Sequence, residues 1–223
     1  MAFHSARLAS PAASSLTENK TLPNYNLSSR IKTQWAALLL IVLLSIGQLF
    51  QAELTPWLEF DRNAIYQGQW WRLLTGHFLH TNFWHLLMNL GGFVLIWLLH
   101  GMYYSNRQFL FNLVLGCGLI GLAVLFWSPA ISLYVGLSGW LHALLVCGCC
   151  IDIQRHWSSG WLILLAVFAK VCWEQWQGAS AEVVTLIGAE VATDAHLYGA
   201  LSGLFMYALL VFWRHFHLTP ALR

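Results

Sequence analysis

The stretch QFLFNLVLGCGLIGLAVLFWSPAISLYVGLSGWLHALLVCGCCI, residues 108–151, runs for 44 residues without an Asp, Glu, Lys or Arg. One membrane-spanning helix needs about 20 apolar residues, because each residue rises about 1.5 Å through a hydrocarbon layer about 30 Å thick. The stretch is therefore too long for one span. It is punctuated by Ser128-Pro129, which predicts two spans with a break near Trp127 to Gly136.

Working outward, the same signal recurs on both sides. Thr33 to Ala52 gives 20 uncharged residues around WAALLLIVLLSIG. A second stretch runs from about Phe78 to His100, a fifth from Trp161 to Trp176, and a sixth takes the 19 residues from Ala195 to Trp213. The expected fold is an all-α membrane protein, a bundle of six transmembrane helices over residues 35–213. Residues 1–34, rich in Ser, Ala, Asn and Thr, read as a cytosolic tail without the apolar core of a signal peptide. Residues 214–223 read as a short cytosolic C-terminal tail.

Composition agrees: of 223 residues, 58% are hydrophobic and 9% charged, against roughly 25% charged in a soluble domain. The net charge of +2 and the scattered basic residues exclude nucleic acid as a partner and leave the lipid bilayer as the surroundings. Cys117, Cys147, Cys149, Cys150 and Cys172 lie in apolar runs without metal-ligand or disulfide-scaffold spacing, and read as packing residues. No metal and no other cofactor is expected.

Orientation follows from Lys and Arg. With the N-terminus inside, the inner segments hold Arg7, Lys20, Arg30, Lys32, Arg107, Arg155, Arg214 and Arg223, while only Arg62, Arg72 and Lys170 are outer. Both termini are thus expected in the cytosol. Spans two, four and six then run from outside to inside, and polar residues near their starts share one depth. His77, His80, His85 and Asn89 fall in the first turns of the second, Ser138 and His142 open the fourth, and Asp194 and His196 open the sixth.

Polar groups in spans are costly and mark function or a buried partner. A serine becomes a nucleophile when a base takes its proton, and neutral His is the usual base. A developing oxyanion needs donors, which a backbone N–H, an Asn amide and a His N–H supply. Ser138, His196 and the pair His85 and Asn89, four apart on one helix face, make up that set. Gly136 and Gly139 would let the chain turn closely around Ser138, and Gly199 with Gly203 forms a small-residue stripe that permits close helix approach. The bland reading, in which these residues only hydrogen-bond neighbouring helices, remains open on spacing alone.

GLSG at 136–139, His196 in AHLYG, and His80 with His85 and Asn89 resemble the rhomboid family of intramembrane serine proteases. QWWRLLT at 69–75 is similar to that family's Trp-Arg motif in the first outer loop. The resemblance covers residues 35–213. It implies Ser138 as nucleophile and His196 as general base, a dyad with no required carboxylate, and an oxyanion hole made of His85, Asn89 and the Ser138 amide. His80 is expected to tie the outer loop to the helix ends, and Arg72 to hold that loop against head groups or backbone carbonyls. Asp194 reads as a helix N-cap.

His142 stands where many rhomboids have Tyr, and either orients His196 or fills space. GLSGWLH, AHLYGALSG and the small size look most similar to the rhombosortase subfamily. That implies single-span substrates ending in Gly-Gly, an apolar helix and a basic tail, cleaved at small residues near the outer face of a bacterial inner membrane, on its periplasmic side. Lys170 and Glu174, at i and i+4 in the fifth span, could pair or snorkel to the interface; since that helix lies beside the substrate gate in rhomboids, a gating role is a further expectation. Two other functions compete for these residues. One is an inactive relative that binds transmembrane clients; the other is a transporter or metal carrier using His80, His85, His142 and His196, which lacks HExxH and a carboxylate pair for coupling.

Overall fold

The computed structural model describes residues 34–217; of the expected tails, 1–34 and 214–223, all but residue 34 and residues 214–217 lie outside the described residues, and 214–217 continue the last helix instead of starting a tail. The chain forms α1 (Trp35–Leu49), α2 (Gln51–Leu58), β1 (Phe60–Asp61), α3 (Arg62–Tyr66), α4 (Arg72–Thr75), α5 (Phe83–His100), α6 (Asn106–Trp127), β2 (Leu133–Tyr134), α7 (Ser138–Gln154), α8 (Ser158–Gln177), α9 (Ala181–Ile187) and α10 (Thr193–His217). A helix lies on each apolar stretch of the sequence, and the break inside residues 108–151 falls between Trp127 and Ser138 as the Ser-Pro step predicts.

Spanning length is a stricter test than helicity. Among the described residues α5 (continued to Tyr103), α6 and α10 are long and apolar enough to cross a membrane, and α1 with α2 would be a fourth if that pair, bent by 103°, is one span. The remaining two helices depart for physical reasons. At 17 residues α7 is short, but it is the buried centre of the bundle and meets protein rather than lipid over most of its surface. The 20-residue α8 carries Lys170 and Glu174. Exposed Leu, Val, Phe and Trp side chains cover the outer faces of α1, α5, α6, α8 and α10, a surface suited to lipid.

Local chemistry sets the element ends. Ser105 and Gln108 form a capping box at the start of α6. Asn82 caps α5 by accepting from the His85 N–H at 2.9 Å, so this helix begins at Phe83 rather than near Phe78. His77 and His80 accordingly lie before it: His77 sits in a 3-10 turn and His80 in the connection to the cap, and neither occupies the first helical turns that the sequence suggested.

The outer loop between α1 and α5 is held by two arginines. The buried Arg72 donates to Glu59 O at 2.8 Å and Pro56 O at 2.7 Å, so the expected backbone-carbonyl role is the one observed. Arg62 donates to Val124 O, Leu125 O, Ser128 O and Ile131 O, binding the outer loop to the end of α6 and the turn after it. β1 and β2 pair antiparallel, Phe60 opposite Tyr134 and Asp61 opposite Leu133, which brings this loop beside the segment that enters α7.

At the other end of the bundle, Asp152 of α7 bonds His100 Nε2 at 3.1 Å and the hydroxyl of Tyr103, tying α5 to α7. Cys117, Cys147, Cys149 and Cys150 are buried as expected, whereas Cys172 is exposed on α8.

Candidate active site

Ser138 is the first residue of α7, and two hydrogen bonds and a positive φ fix the turn before it. The Gly136 N–H donates to Gly76 O at 3.1 Å, Gly136 O accepts from the Tyr134 hydroxyl at 2.6 Å, and Gly136 has φ +129°. A side chain at 136 would be strained by that φ and would meet the His85 ring, with Cβ 2.9 Å from Cε1 and 3.0 Å from Nε2. His85 Nε2 is thereby set against the loop that carries Ser138. Tyr134 has no catalytic motif of its own in the sequence; its place becomes visible only through the pairing of β1 with β2.

His196 lies in the first turn of α10. Its Nε2 is 2.8 Å from Ser138 Oγ, so a nucleophile and base 58 residues apart in sequence are in hydrogen-bond contact. Backbone packing enforces this approach: a Cβ on Gly139 would lie 2.8 Å from Ala195 O, and one on Gly199 would collide with the carbonyl of Gly139. The small-residue stripe read from the sequence is the seam between α7 and α10.

His85 and Asn89 rise from α5 on one face and line the same cavity as Ser138 and His196, a space of about 370 Å³. His85 Nδ1 lies 3.3 Å from the Thr81 N–H and 3.1 Å from Thr81 Oγ1, which itself donates to Ile187 O, so this edge of the ring is held by Thr81 and Nε2 is the atom facing Gly136. Asn89 Nδ2 donates to His85 O at 2.9 Å, and its amide has a second hydrogen to offer. The cavity wall is otherwise largely apolar, with Met88, Gly92 and Ile96 of α5 facing Val167 of α8 and Ile187 of α9. A second cavity of about 190 Å³ shares Ser138 and His85 and is edged by Glu59 and Glu190. Burial raises the Glu59 carboxyl above its ordinary range, against the lowering effect of Arg72.

The other expected residues take these places. His80 is buried in the connection between the outer loop and α5, with its ring edge-on to His85 at 5.0 Å. His142 Nδ1 donates to Ser138 O at 2.7 Å and its ring stacks on His196, centroids 4.4 Å apart, an arrangement that orients the imidazole. Asp194 is no N-cap: α10 begins at Thr193, and the Asp194 carboxylate inside the first turn accepts from Ser128 Oγ at 2.5 Å.

The carboxylate that does reach His196 is Glu174 of α8. Its Oε2 is 2.8 Å from His196 Nδ1, and its Oε1 is 2.6 Å from Lys170 Nζ. The expected Lys170–Glu174 pair therefore exists, but it extends into the site. Ligand atoms of His142, Glu174 and His196 all lie within 4.8 Å of one another. That metal-capable group differs from the four-histidine set considered from sequence, and its atoms are engaged with Ser138, Lys170 and each other.

The family model of the Rhomboid domain matches residues 67–213, which include every residue of this site except Glu59. No curated protein matches the chain significantly.

Proposed function

The chain belongs to the rhomboid family of intramembrane serine proteases, and we propose that it cuts single-span membrane proteins with Ser138 as nucleophile and His196 as general base. The observation that carries this reading is the 2.8 Å contact between Ser138 Oγ and His196 Nε2, made between two helix starts at the wall of a largely apolar cavity. A substrate segment unwound into a strand presents its carbonyl to Ser138. As Oγ attacks, its proton passes to His196 Nε2, and the carbonyl oxygen becomes an oxyanion. The Ser138 N–H at the start of α7, His85 Nε2–H and the second Asn89 amide hydrogen are the donors available to it. Collapse breaks the C–N bond, the amine leaves with the proton from His196, and water releases the acyl group by the same steps.

The substrate is an anchor of the rhombosortase type: Gly-Gly, an apolar helix and a basic tail, cleaved near the outer face of a bacterial inner membrane on the periplasmic side. Small residues, glycine above all, lower the cost of unwinding the substrate helix. The inactive-binder reading has no support in the geometry, since nucleophile and base are both present and in contact.

The deciding experiment coexpresses the chain with a reporter carrying such an anchor. We expect cleavage at or beside the Gly-Gly, and at least a ~10-fold loss when both glycines become Val. Equal cleavage of the Val-Val reporter would overturn the anchor assignment. For the oxyanion hole, His85→Ala and Asn89→Ala should each lower kcat by about 10²- to 10³-fold with little change in KM. A change confined to KM would instead make them substrate-binding residues.

A further inference from the structure

We propose that Glu174 is the third member of the relay, a positioning residue on α8 that fixes His196 in the tautomer the base needs. The inference rests on the reading of Ser138 and His196 as nucleophile and base, and adds to it a carboxylate that the dyad does not require.

To take the Ser138 proton, His196 must hold a lone pair on Nε2, and its ring proton must then sit on Nδ1. Glu174 Oε2 accepts from that Nδ1–H at 2.8 Å. When Nε2 gains the Ser138 proton, the imidazolium forms beside the carboxylate, which lowers the cost of placing a cation against an apolar wall. Serine, histidine and glutamate come from three helices, α7, α10 and α8.

A plain i,i+4 surface pair on α8 would not look like this. The Glu174 side chain is 11% exposed against 50% for Lys170, and each carboxylate oxygen has a different partner. Lys170 is the outer clamp: its Nζ holds Oε1 at 2.6 Å and lies 3.4 Å from His142 Nε2. Since His142 Nδ1–H is given to Ser138 O, its Nε2 carries the lone pair that faces this ammonium. His196 is thus held at its edge by Glu174 and on its face by the stacked His142.

The test compares wild type, Glu174→Gln, Glu174→Asp, Ser138→Ala and His196→Ala on the Gly-Gly reporter, measuring kcat, KM and the rate at which a fluorophosphonate labels Ser138. A serine-protease triad that loses its carboxylate drops ~10⁴-fold. Because the stacked His142 still orients the ring here, Glu174→Gln should lose roughly 10- to 100-fold in kcat, a smaller part of that loss. KM should stay within about twofold, labelling should slow in parallel, and Glu174→Asp should recover most of the rate. The aspartate rescue separates positioning from misfolding. Wild-type kcat in Glu174→Gln, or a change confined to KM, would overturn the relay and leave the dyad standing. Cleavage by Ser138→Ala or His196→Ala would instead overturn the dyad itself.

Discussion

Ser138→Ala and His196→Ala are each expected to reduce reporter cleavage by at least ~10⁴-fold, with the double variant no slower than the worse single one. The expectation comes from the shared proton. With Oγ and Nε2 at 2.8 Å, the two side chains act as one unit. A serine without its base is a poor nucleophile, and a base without its serine has no proton to take. Removing either ends the same step, so their losses do not add. What survives is whatever the oxyanion donors supply to a water molecule. The measurement is reporter turnover in proteoliposomes for the two single variants and the double. Additive losses, a double variant slower by the product of the two factors, would mean that the residues act in separate steps and would defeat the paired mechanism.

Much of this site is legible in the sequence, because its signals are local. Four-residue spacing puts His85 and Asn89 on one helix face, and GLSG and AHLYG each carry a chemical residue beside the glycines that position it. Convergence was legible too: the starts of α5, α7 and α10 line one cavity, as alternating helix direction implies. Glu174 was only half legible. Its i,i+4 relation to Lys170 is visible, but which of its oxygens faces inward depends on how α8 seats against α10, and hydropathy says nothing about that rotation.

The outer loop was legible mainly at Arg72. Arg62 reads backbone carbonyls, and carbonyls leave no mark in sequence. The cap at Asn82 displaced His77 and His80 from the helix for a related reason. An apolar stretch continues through Phe78 and Leu79, and only the short side-chain bond from Asn82 to the His85 N–H determines where winding starts. Asp194 failed as a cap because Thr193 already opens the helix.

Gly199→Ala is expected to lower both activity and stability, with a larger loss of activity than Gly203→Ala at a similar loss of stability. Along the α7–α10 seam, backbone meets backbone at successive turns. A Cβ at 199 would collide with the carbonyl of Gly139 and come within 3.2 Å of His142 Cβ; one at 203 would lie 2.5 Å from Ala143 O and 2.9 Å from Val146 Cβ. Neither carbonyl can rotate away as a side chain would, so both substitutions should force the helices apart and lower stability by about 1–3 kcal/mol. Position decides the rest. Gly139 adjoins Ser138 and Gly199 is one turn below His196, so a shift there is transmitted directly to the 2.8 Å contact. A displacement of about 1 Å in reacting groups costs on the order of 10²-fold. Gly203 is a further turn away, where tilting about the Gly139–Ala195 contact can absorb part of the shift. Thermal unfolding in detergent and reporter turnover below the transition measure the two effects separately. Activities that fall equally in the two variants would show that the seam acts through stability alone and does not set the distance between nucleophile and base.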